Sequence, residues 1–249
     1  MTRQIKRLIQ SMANRFGYRL VPLDSKPGIP EEWSNRLDTF LSLLAGFGFR
    51  PEHIVDVGAN RANWTRRAAH FFPSARYTLI EPQESLKQYT ADLVQRGVAI
   101  TWINAGVADK SGSLALAVGQ PDSTSTFYDD GDPHTRRVSV PVVTLNEIAE
   151  SHGTPQLVKI DAEGFDLRVL TGATNLLGKT DVFLVEVTVC AAAYENTIAD
   201  VIRFMDQHGY RVADITDLNR SPKHDVLWLC ELAFVRKGSG LFDVGSEYV

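Results

Sequence analysis

The stretch Ile54-Val55-Asp56-Val57-Gly58-Ala59-Asn60 decides the fold, because it predicts a buried strand that ends in an acid and a glycine. A helical pattern follows directly over residues 62–71. A glycine at such a turn lets a ligand approach the backbone closely. Ligands of open α/β sheets bind at the carboxyl ends of the strands, so this stretch predicts a cofactor site as well as a fold.

Short apolar runs and helical segments alternate along most of the chain. Strands are predicted at His53–Val57, Tyr77–Ile80, Val98–Ile103, Leu157–Ile160 and Phe183–Val187, with a closing antiparallel pair at Tyr210–Ile215 and Val226–Val235. Helices are predicted at Ala62–Phe71, Glu84–Leu93, Phe165–Leu177 and Glu195–Gln207, the last with a buried face of Ile198, Val201, Ile202 and Met205. The alternation predicts an α/β fold with a mostly parallel, doubly wound sheet and helices on both faces.

One region departs from this alternation. The strand-like runs Leu114–Val118 and Val138–Val143 have no helical pattern between them. Pro141 predicts that the second run lies at an edge or a bulge, because proline cannot donate to a strand ladder. The polar loop Gly119–Arg137 joins the two runs, and loops of that length are usually functional or mobile.

Three parts are predicted: a basic helix and linker over residues 1–30, one domain over 31–237 and a tail over 238–249. The first 20 residues contain Arg and Lys, no acid, and apolar residues at helical spacing. Such a helix either lies on an anionic membrane surface or packs on the domain or on a second copy in a homodimer, and packing is the commoner outcome. A second helix is predicted from the one-sided residues Trp33, Leu37, Phe40, Leu41 and Leu44.

Composition and charge argue against several classes of protein. The 249 residues include 26 Lys and Arg and 30 Asp and Glu, a net charge of −4, whereas bulk nucleic-acid binders are usually basic. Cys190 and Cys230 form neither a disulfide framework nor a Cys-x-x-Cys zinc site. No apolar run has the length of a membrane span, and the first residues lack the apolar core of a signal peptide. We therefore expect a cytoplasmic protein, peripheral to the inner face of the membrane if the basic helix binds there.

The end of the next predicted strand narrows the choice of cofactor. Ile80-Glu81-Pro82 places an acid where it commonly accepts both ribose hydroxyls of an adenosine. A dinucleotide fold requires Gly-x-Gly-x-x-Gly for a pyrophosphate, but residues 58–63 read Gly-Ala-Asn-Arg-Ala-Asn. Asp56 would oppose a pyrophosphate and suit the cationic end of S-adenosylmethionine, which the sequence therefore favours over NAD. The simpler alternative is a strand, a turn and a helix capped by Asp56.

A second group of acids closes the predicted strand Leu157–Ile160 and the strand after it. Lys159 and Asp161 share a face, because residues two apart on a strand point the same way. Glu163 follows at the same edge, and Glu186 closes the next strand. Acids at three strand ends exceed what packing needs, since buried carboxylates are costly unless paired. The alternative is a network of Lys159 with acids and a helix cap at Asp161 or Glu163.

In these motifs the chain resembles the FkbM-type methyltransferases. The resemblance rests on Asp-Val-Gly-Ala-Asn, Ile-Glu-Pro, Ala-Gly-Val-Ala-Asp-Lys-Ser-Gly and, most specifically, Lys-Ile-Asp-Ala-Glu-Gly, over about residues 37–236. It implies a seven-stranded Rossmann-like sheet with an antiparallel C-terminal strand. It also implies S-adenosylmethionine as cofactor and methyl transfer, in many members to hydroxyls of sugars, polysaccharides or secondary metabolites.

The chain departs from the family pattern at two positions. Ala62 stands where a glycine is usual, and its extra methyl group could crowd the methionine end of the cofactor. Asn146 stands where an aspartate is more usual. We expect both changes to be tolerated, although Ala62 keeps a non-catalytic relative among the alternatives.

Strand-end positions and the resemblance together assign candidate site residues. The predicted cofactor-binding residues are Asp56, Gly58, Ala59, Asn60, Glu81, Pro82, Asn104, Ala105, Gly106 and Asp161. The predicted acceptor-binding residues are Ser123, Thr124, Ser125, Thr126 and His134, where His134 is either a base on a lid or a solvated loop histidine. The candidate catalytic residues are Asp161, Glu163, Glu186 and Lys159. A divalent ion on Asp161, Glu163 or Glu186 is compatible with the sequence but not required by it.

The sequence therefore predicts an S-adenosylmethionine-dependent O-methyltransferase that acts on a hydroxyl of a sugar, a glycan or a related small molecule. Two alternatives stay open: an NAD-dependent oxidoreductase, and a non-catalytic relative that binds cofactor or a partner without turnover. If the basic helix meets a membrane, we expect a lipid-linked glycan as acceptor. No nucleic-acid partner is expected.

Overall fold

The computed structural model describes residues 36–118, 136–190, 197–221 and 223–242. The predicted basic helix and linker of residues 1–30 lie outside the described residues, as does most of the predicted tail. The same holds for the acceptor-binding candidates Ser123, Thr124, Ser125, Thr126 and His134. The domain limits proposed from the sequence therefore stay predictions.

Among the described residues, seven strands form one mixed sheet and three form a smaller sheet. In chain order the strands are β1 (His53–Val57), β2 (Arg76–Ile80), β3 (Ala99–Ile103), β4 (Gly106–Val107), β5 (Gly112–Val118), β6 (Arg136–Val143), β7 (Leu157–Ile160), β8 (Val182–Thr188), β9 (Tyr210–Arg220) and β10 (Leu227–Arg236). The large sheet has the order β3-β2-β1-β7-β8-β10-β9, and β10 is antiparallel to both of its neighbours. The predicted mostly parallel sheet with one antiparallel C-terminal strand is confirmed.

Six α-helices and one 3-10 helix accompany these strands in the described part of the chain. They are α1 (Arg36–Gly46), α2 (Asn63–Phe71), the 3-10 helix (Glu84–Thr90), α3 (Ala91–Gln95), α4 (Leu145–His152), α5 (Asp166–Thr171) and α6 (Ile198–Gln207). Helices α4 and α6 begin with capping boxes built on Thr144 and Thr197, which satisfy the first backbone N–H groups. None of the described helices combines the length and the apolar character needed to cross a membrane.

Two apolar clusters cover the two faces of the large sheet, because successive residues of a strand point to opposite sides. Ile54 of β1 and Leu157 of β7 belong to the first cluster, and their neighbours Val55 and Val158 belong to the second. Helix α1 adds its one-sided residues to the first cluster, as the sequence predicted: Leu37, Phe40, Leu41 and Leu44. Helix α6 adds Val201 and Met205 to the second cluster, so the predicted helices on both faces are confirmed.

The helix predicted over Phe165–Leu177 is shorter than expected. Helix α5 ends at Thr171, and the carbonyl of Gly172 accepts from Asn146 N instead of continuing the helix. Glycine is a poor helix residue, which favours the end at this point. In α6 the predicted buried position Ile202 is wrong, since its side chain is 37% exposed.

The helix predicted over Glu84–Leu93 is a 3-10 helix followed by the short α3. Two side chains compete with regular helix bonding in this segment. Gln88 Nε2 donates to Ser85 O at 2.9 Å, and Thr90 Oγ1 donates to Lys87 O at 2.8 Å. Residue periodicity predicted the helical segment but not this tighter winding.

The two strand-like runs around the polar loop form the small sheet, with the order β4-β6-β5. Strand β6 is antiparallel to β5 and parallel to β4, so it is the middle strand and the edge position predicted from Pro141 is wrong. Strand β4 pairs only with Val142 and Val143 in the described chain. Pro141 itself therefore pairs with β5 alone. Proline suits this position because it has no backbone N–H to donate to a second neighbouring strand.

Candidate functional site

Strands β2, β1 and β7 end side by side at one edge of the large sheet. Backbone bonds hold the turn after β1: Gly58 N donates to Ile80 O at 2.9 Å, and Asp161 N donates to Val57 O at 3.2 Å. Gly58 has a φ of 70°, and a Cβ on it would lie 1.9 Å from Asp161 O. Both facts require glycine here. The sequence predicted that a ligand approaches the backbone closely at Gly58. In the structure the group this close is the backbone carbonyl of Asp161.

Glu81 lies at the end of β2, as predicted, with 4% exposure. Its Oε2 accepts from Asn60 N at 3.0 Å, and its Oε1 accepts from Gln83 N at 2.9 Å. Burial raises the pKa of Glu81, while these backbone bonds oppose the rise. The side chain of Asn104 donates to Glu81 O and Pro82 O and so joins the ends of β2 and β3. Four of the predicted cofactor-binding residues are therefore brought together.

Asp56 is fully buried, so its carboxylate does not reach open space. Its Oδ2 accepts from the Thr65 hydroxyl at 2.5 Å, and its Oδ1 lies 3.5 Å from Lys159 Nζ. Burial raises the pKa of Asp56, and Lys159 and Thr65 oppose the rise. The expected direct contact of Asp56 with a cofactor is not supported. It does not cap a helix either, since α2 begins after Ala62 without a side-chain cap.

Lys159 joins the end of β1 to the end of β7. Its Nζ donates to Val57 O at 3.4 Å, to Gly58 O at 3.3 Å and to Asp161 Oδ2 at 3.1 Å. Burial alone would lower the pKa of Lys159, but attraction from Asp161, Asp56 and Glu231 outweighs it and raises the pKa above its ordinary value. A protonated ammonium group cannot accept a proton, so Lys159 fits a positioning role and not the role of a base.

The turn after β7 carries two of the candidate bases. The side chain of Asp161 is 34% exposed, and Glu163 has a left-handed φ of 49°. Asp166 holds this turn: its Oδ1 accepts from Ala162 N at 2.9 Å, and its Oδ2 accepts from Gly164 N at 3.2 Å. Burial raises the pKa of Asp166 to about 7. Of the alternative considered for these acids, the ion pairs of Lys159 with acids are present, but the helix cap at Asp161 or Glu163 is not, because α5 begins after Phe165 without a side-chain cap.

Glu186 and Glu231 lie opposite each other on the paired strands β8 and β10. Burial, followed by repulsion from Asp161, Asp166 and Glu163, raises the pKa of Glu186 to about 10, and Lys159 only partly opposes this. Burial also raises the pKa of Glu231 to about 7. Sequence reasoning missed Asp166 and Glu231. An acid inside the apolar run Leu227–Val235 was the signal for Glu231.

The remaining predicted cofactor positions offer backbone and little else. Ala59 and Ala105 are buried, and Gly106 begins the short strand β4. No group of three or more His, Cys, Asp or Glu side chains that could hold a metal ion occurs in the described part of the chain. The divalent ion considered on Asp161, Glu163 or Glu186 therefore has no support among these residues.

Ala62 is fully buried in the first apolar cluster. Its backbone is left-handed, with a φ of 57° and a ψ of 31°, which explains why glycine is usual at this position. The methyl group thus packs in the core, and the cost of alanine falls on the backbone rather than on a cofactor.

We expect Ala62→Gly to leave the affinity for S-adenosylmethionine unchanged. Relief of left-handed strain, about 1 kcal/mol, is offset by the loss of a buried methyl group, about 0.8 kcal/mol, so stability should also change little. Calorimetric titration and urea denaturation measure the two quantities. A tenfold gain in affinity would instead support crowding of the cofactor by Ala62.

Asn146 has a structural role. Its Oδ1 accepts from Asn175 N at 2.8 Å and its Nδ2 donates to Thr174 Oγ1 at 2.9 Å, which joins α4 to the turn after α5. An aspartate could accept both the Asn175 N–H and the Thr174 hydroxyl, so either residue suits the position. Asparagine here places no constraint on a cofactor.

Comparison with family models identifies the family to which this geometry belongs. The model described as the methyltransferase FkbM domain matches residues 56–212, more than half of the chain. The chain belongs to the FkbM methyltransferase family. The match begins at Asp56 and includes Glu81, Asp161 and Glu186. A comparison with curated protein sequences gave no match.

Solved structures with a similar fold include further methyltransferases. Magnesium protoporphyrin IX methyltransferase from Synechocystis PCC 6803, solved with bound S-adenosylmethionine, is 12% identical with a TM-score of 0.50, covering 93% of this chain and 97% of that chain. Precorrin-6y C5,15-methyltransferase from Geobacter metallireducens GS-15 is 14% identical with a TM-score of 0.48, covering 86% and 92%. The Synechocystis structure shows that this FkbM chain has the Rossmann-like class I methyltransferase fold.

Proposed function

We propose that the protein is an S-adenosylmethionine-dependent O-methyltransferase that acts on a hydroxyl of a sugar, a glycan or a related small molecule. The cofactor assignment rests on one observation. The turn at Gly58 lies next to the buried Glu81 and beside the carboxylates that follow β7. Membership of the FkbM family supports methyl transfer. The acceptor class rests on the hydroxyl acceptors of many members of that family.

The charges at this edge of the sheet suit a cationic cofactor. S-adenosylmethionine supplies a methyl group on a positively charged sulfur. Glu81 would accept the ribose hydroxyls, and the turn at Gly58 and Asn60 would lie beside it. Asp161 and Glu163 supply negative charge next to that turn. A pyrophosphate would meet the same carboxylates as like charges, which is unfavourable, so the site favours S-adenosylmethionine over NAD.

Transfer to a hydroxyl requires a group that takes the acceptor proton. Attraction from Asp161 and Asp56 raises the pKa of Lys159, and burial with neighbouring acids raises the pKa of Glu186, so both groups hold their protons more firmly than usual. Asp161 and Glu163 lie on the partly exposed turn after β7. We propose that one of these two carboxylates takes the proton, while the surrounding chain excludes water from the transferred methyl group.

The acceptor-binding role of Ser123, Thr124, Ser125, Thr126 and His134 is part of this proposal, and these residues lie outside the described chain. The same is true of peripheral membrane contact through residues 1–20. A homodimer is a further proposal. These three proposals concern the acceptor, a membrane surface and a second copy of the chain. The cofactor proposal does not depend on them.

Calorimetric titration of the full chain tests the cofactor. We expect S-adenosylmethionine and S-adenosylhomocysteine to bind and NAD not to bind. Glu81→Gln should weaken S-adenosylmethionine roughly ten- to hundredfold, because hydrogen bonds to a charged group contribute about 1.5–3 kcal/mol. The control Glu84→Gln, an exposed acid three residues along, should leave the affinity unchanged.

The outcomes separate the alternatives. Binding of NAD in place of S-adenosylmethionine would favour the oxidoreductase, and binding of none of the three would favour a non-catalytic interaction protein. Once binding is shown, transfer of a labelled methyl group to a panel of sugars and glycans tests the acceptor class. Transfer to amines alone would contradict O-methylation.

A further inference from the structure

The turn after β1 has the backbone of an anion-binding turn. Left-handed residues alternate along it, with φ values of 70° at Gly58, 46° at Asn60 and 57° at Ala62. In turns of this kind successive N–H groups point into one concave face and bind anions such as phosphate. An adenosine with its ribose at Glu81 would place its 5′ substituent over this turn, as in dinucleotide folds. The state of these N–H groups therefore bears on whether a 5′-phosphate can bind.

The chain itself supplies an acceptor for every N–H group of this turn. Gly58 N and Ala59 N both donate to Ile80 O, at 2.9 and 3.2 Å. The three N–H groups that follow also donate within the chain: Asn60 N to Glu81 Oε2 at 3.0 Å, Arg61 N to Asn60 Oδ1 at 2.8 Å and Ala62 N to Ala59 O at 2.7 Å. A phosphate would have to displace one of these acceptors.

Glu81 is the ionisable group among these acceptors. Its side chain is held between two backbone segments, because Oε2 accepts from Asn60 N and Oε1 accepts from Gln83 N at 2.9 Å. A carboxylate has about four acceptor positions, so Glu81 can hold the turn and still accept from a ribose hydroxyl. Its Oε2 occupies the place on the Asn60 amide that an incoming anion would take.

The start of α2 is the second place where a dinucleotide fold holds phosphate. Among the described residues no side chain caps this helix. Asp56 lies beside its first turn, because the hydroxyl of Thr65, the third residue of α2, donates to Asp56 Oδ2 at 2.5 Å. Lys159 Nζ lies 3.5 Å from Asp56 Oδ1 and offsets the charge of Asp56. The larger effect on a phosphate is therefore expected from Glu81.

We propose that Glu81 restricts the site to adenosine derivatives that have no phosphate at the 5′ position. The inference rests on the proposed function and deepens it. The carboxylate of Glu81 fills the Asn60 amide from inside the protein and repels a phosphate that approaches the same turn. S-adenosylmethionine has a sulfur at that position and avoids both costs. Glu81 is thus a specificity-determining residue as well as an acceptor for ribose hydroxyls.

Two ligands that differ at the 5′ position test this restriction. 5′-Methylthioadenosine has an uncharged methylthio group where AMP has a phosphate, and the two share the same adenosine. Calorimetric titration of the full chain measures both affinities. We expect methylthioadenosine to bind at least about tenfold more tightly than AMP, because like charges brought together in a binding site are costly.

Variants of Glu81 then assign the restriction to this residue. Glu81→Ala should weaken both ligands, because the ribose loses an acceptor, but should reduce the ratio of their affinities to about threefold or less. Glu81→Gln keeps the size of the side chain, removes its charge and should also reduce the ratio. Glu84→Ala, at an exposed acid three residues along, is the matched control and should leave the ratio unchanged. A merely structural role of Glu81 would weaken both ligands alike.

Equal affinity for AMP and methylthioadenosine in the unaltered protein would overturn the inference and leave the proposed function intact. A ratio that persists in the Glu81 variants would also overturn it, because other groups would then exclude the phosphate. If Glu81→Ala does not fold, Glu81→Gln decides. Binding of neither methylthioadenosine nor S-adenosylmethionine would contradict the proposed function itself.

Discussion

Gly58→Ala is expected to abolish binding of S-adenosylmethionine and to lower the free energy of unfolding by about 3 kcal/mol. The new Cβ would lie 1.9 Å from the carbonyl oxygen of Asp161, so the ends of β1 and β7 must move apart. The φ of 70° adds left-handed strain of about 1 kcal/mol. Both strand ends belong to the proposed site, so one displacement disturbs the cofactor turn and the acids together.

Gly97→Ala is the matched control for this prediction. Gly97 has a φ of 81°, but nothing lies within 4 Å of a Cβ built on it. Alanine there should cost only the left-handed strain, about 1 kcal/mol, and leave cofactor affinity unchanged. Urea denaturation and calorimetric titration measure both variants. Equal destabilisation of the two would show that the contact with Asp161 does not matter.

Lys159→Met should lower the free energy of unfolding by about 3–5 kcal/mol, the usual result of removing one partner from a buried ion pair. The side chain of Lys159 is 6% exposed, and Asp56 is 0% exposed. Methionine fills a similar volume but leaves the carboxylate of Asp56 without its cation. The loss of the bonds to Gly58 O and Asp161 should also weaken S-adenosylmethionine binding.

Lys237→Met is the control, because Lys237 forms an ion pair with Asp206 at 2.6 Å on the surface, where its side chain is 49% exposed. Exposed pairs of this kind contribute at most about 1 kcal/mol. Urea denaturation of both variants compares a buried with an exposed ammonium group. A loss at Lys159 no larger than at Lys237 would contradict a positioning role for Lys159.

Local pattern was enough to predict most of the large sheet. Strands β1 and β7 have the predicted limits, and the closing pair β9 and β10 was expected from its apolar runs. Burial on both faces makes such strands continuous apolar runs that are visible in the sequence. The position of Glu81 was also predictable from the sequence, because it ends an apolar strand and is followed by a proline. Its carboxylate is therefore expected at the edge of the sheet.

The roles of the acids could not be predicted in the same way. Lys159 bonds to Gly58 O across 101 positions of the chain, and Asp56 bonds to Thr65 instead of facing a ligand. Thr216 donates to Glu231, which places another acid behind the site. Nothing local distinguishes an acid that faces a ligand from one that faces a buried lysine.

The sequence by itself determined the fold class, the glycine turn, the acid at the end of β2 and the family, because each depends on residues adjacent in the chain. Only the tertiary structure decided that Lys159 is a buried cation, that Asp56 and Ala62 point into the interior, and that Asp166 and Glu231 join the site. Burial and charge at these positions come from strands that meet only when the sheet assembles. The protonation of each group follows from those neighbours and not from its own position in the chain.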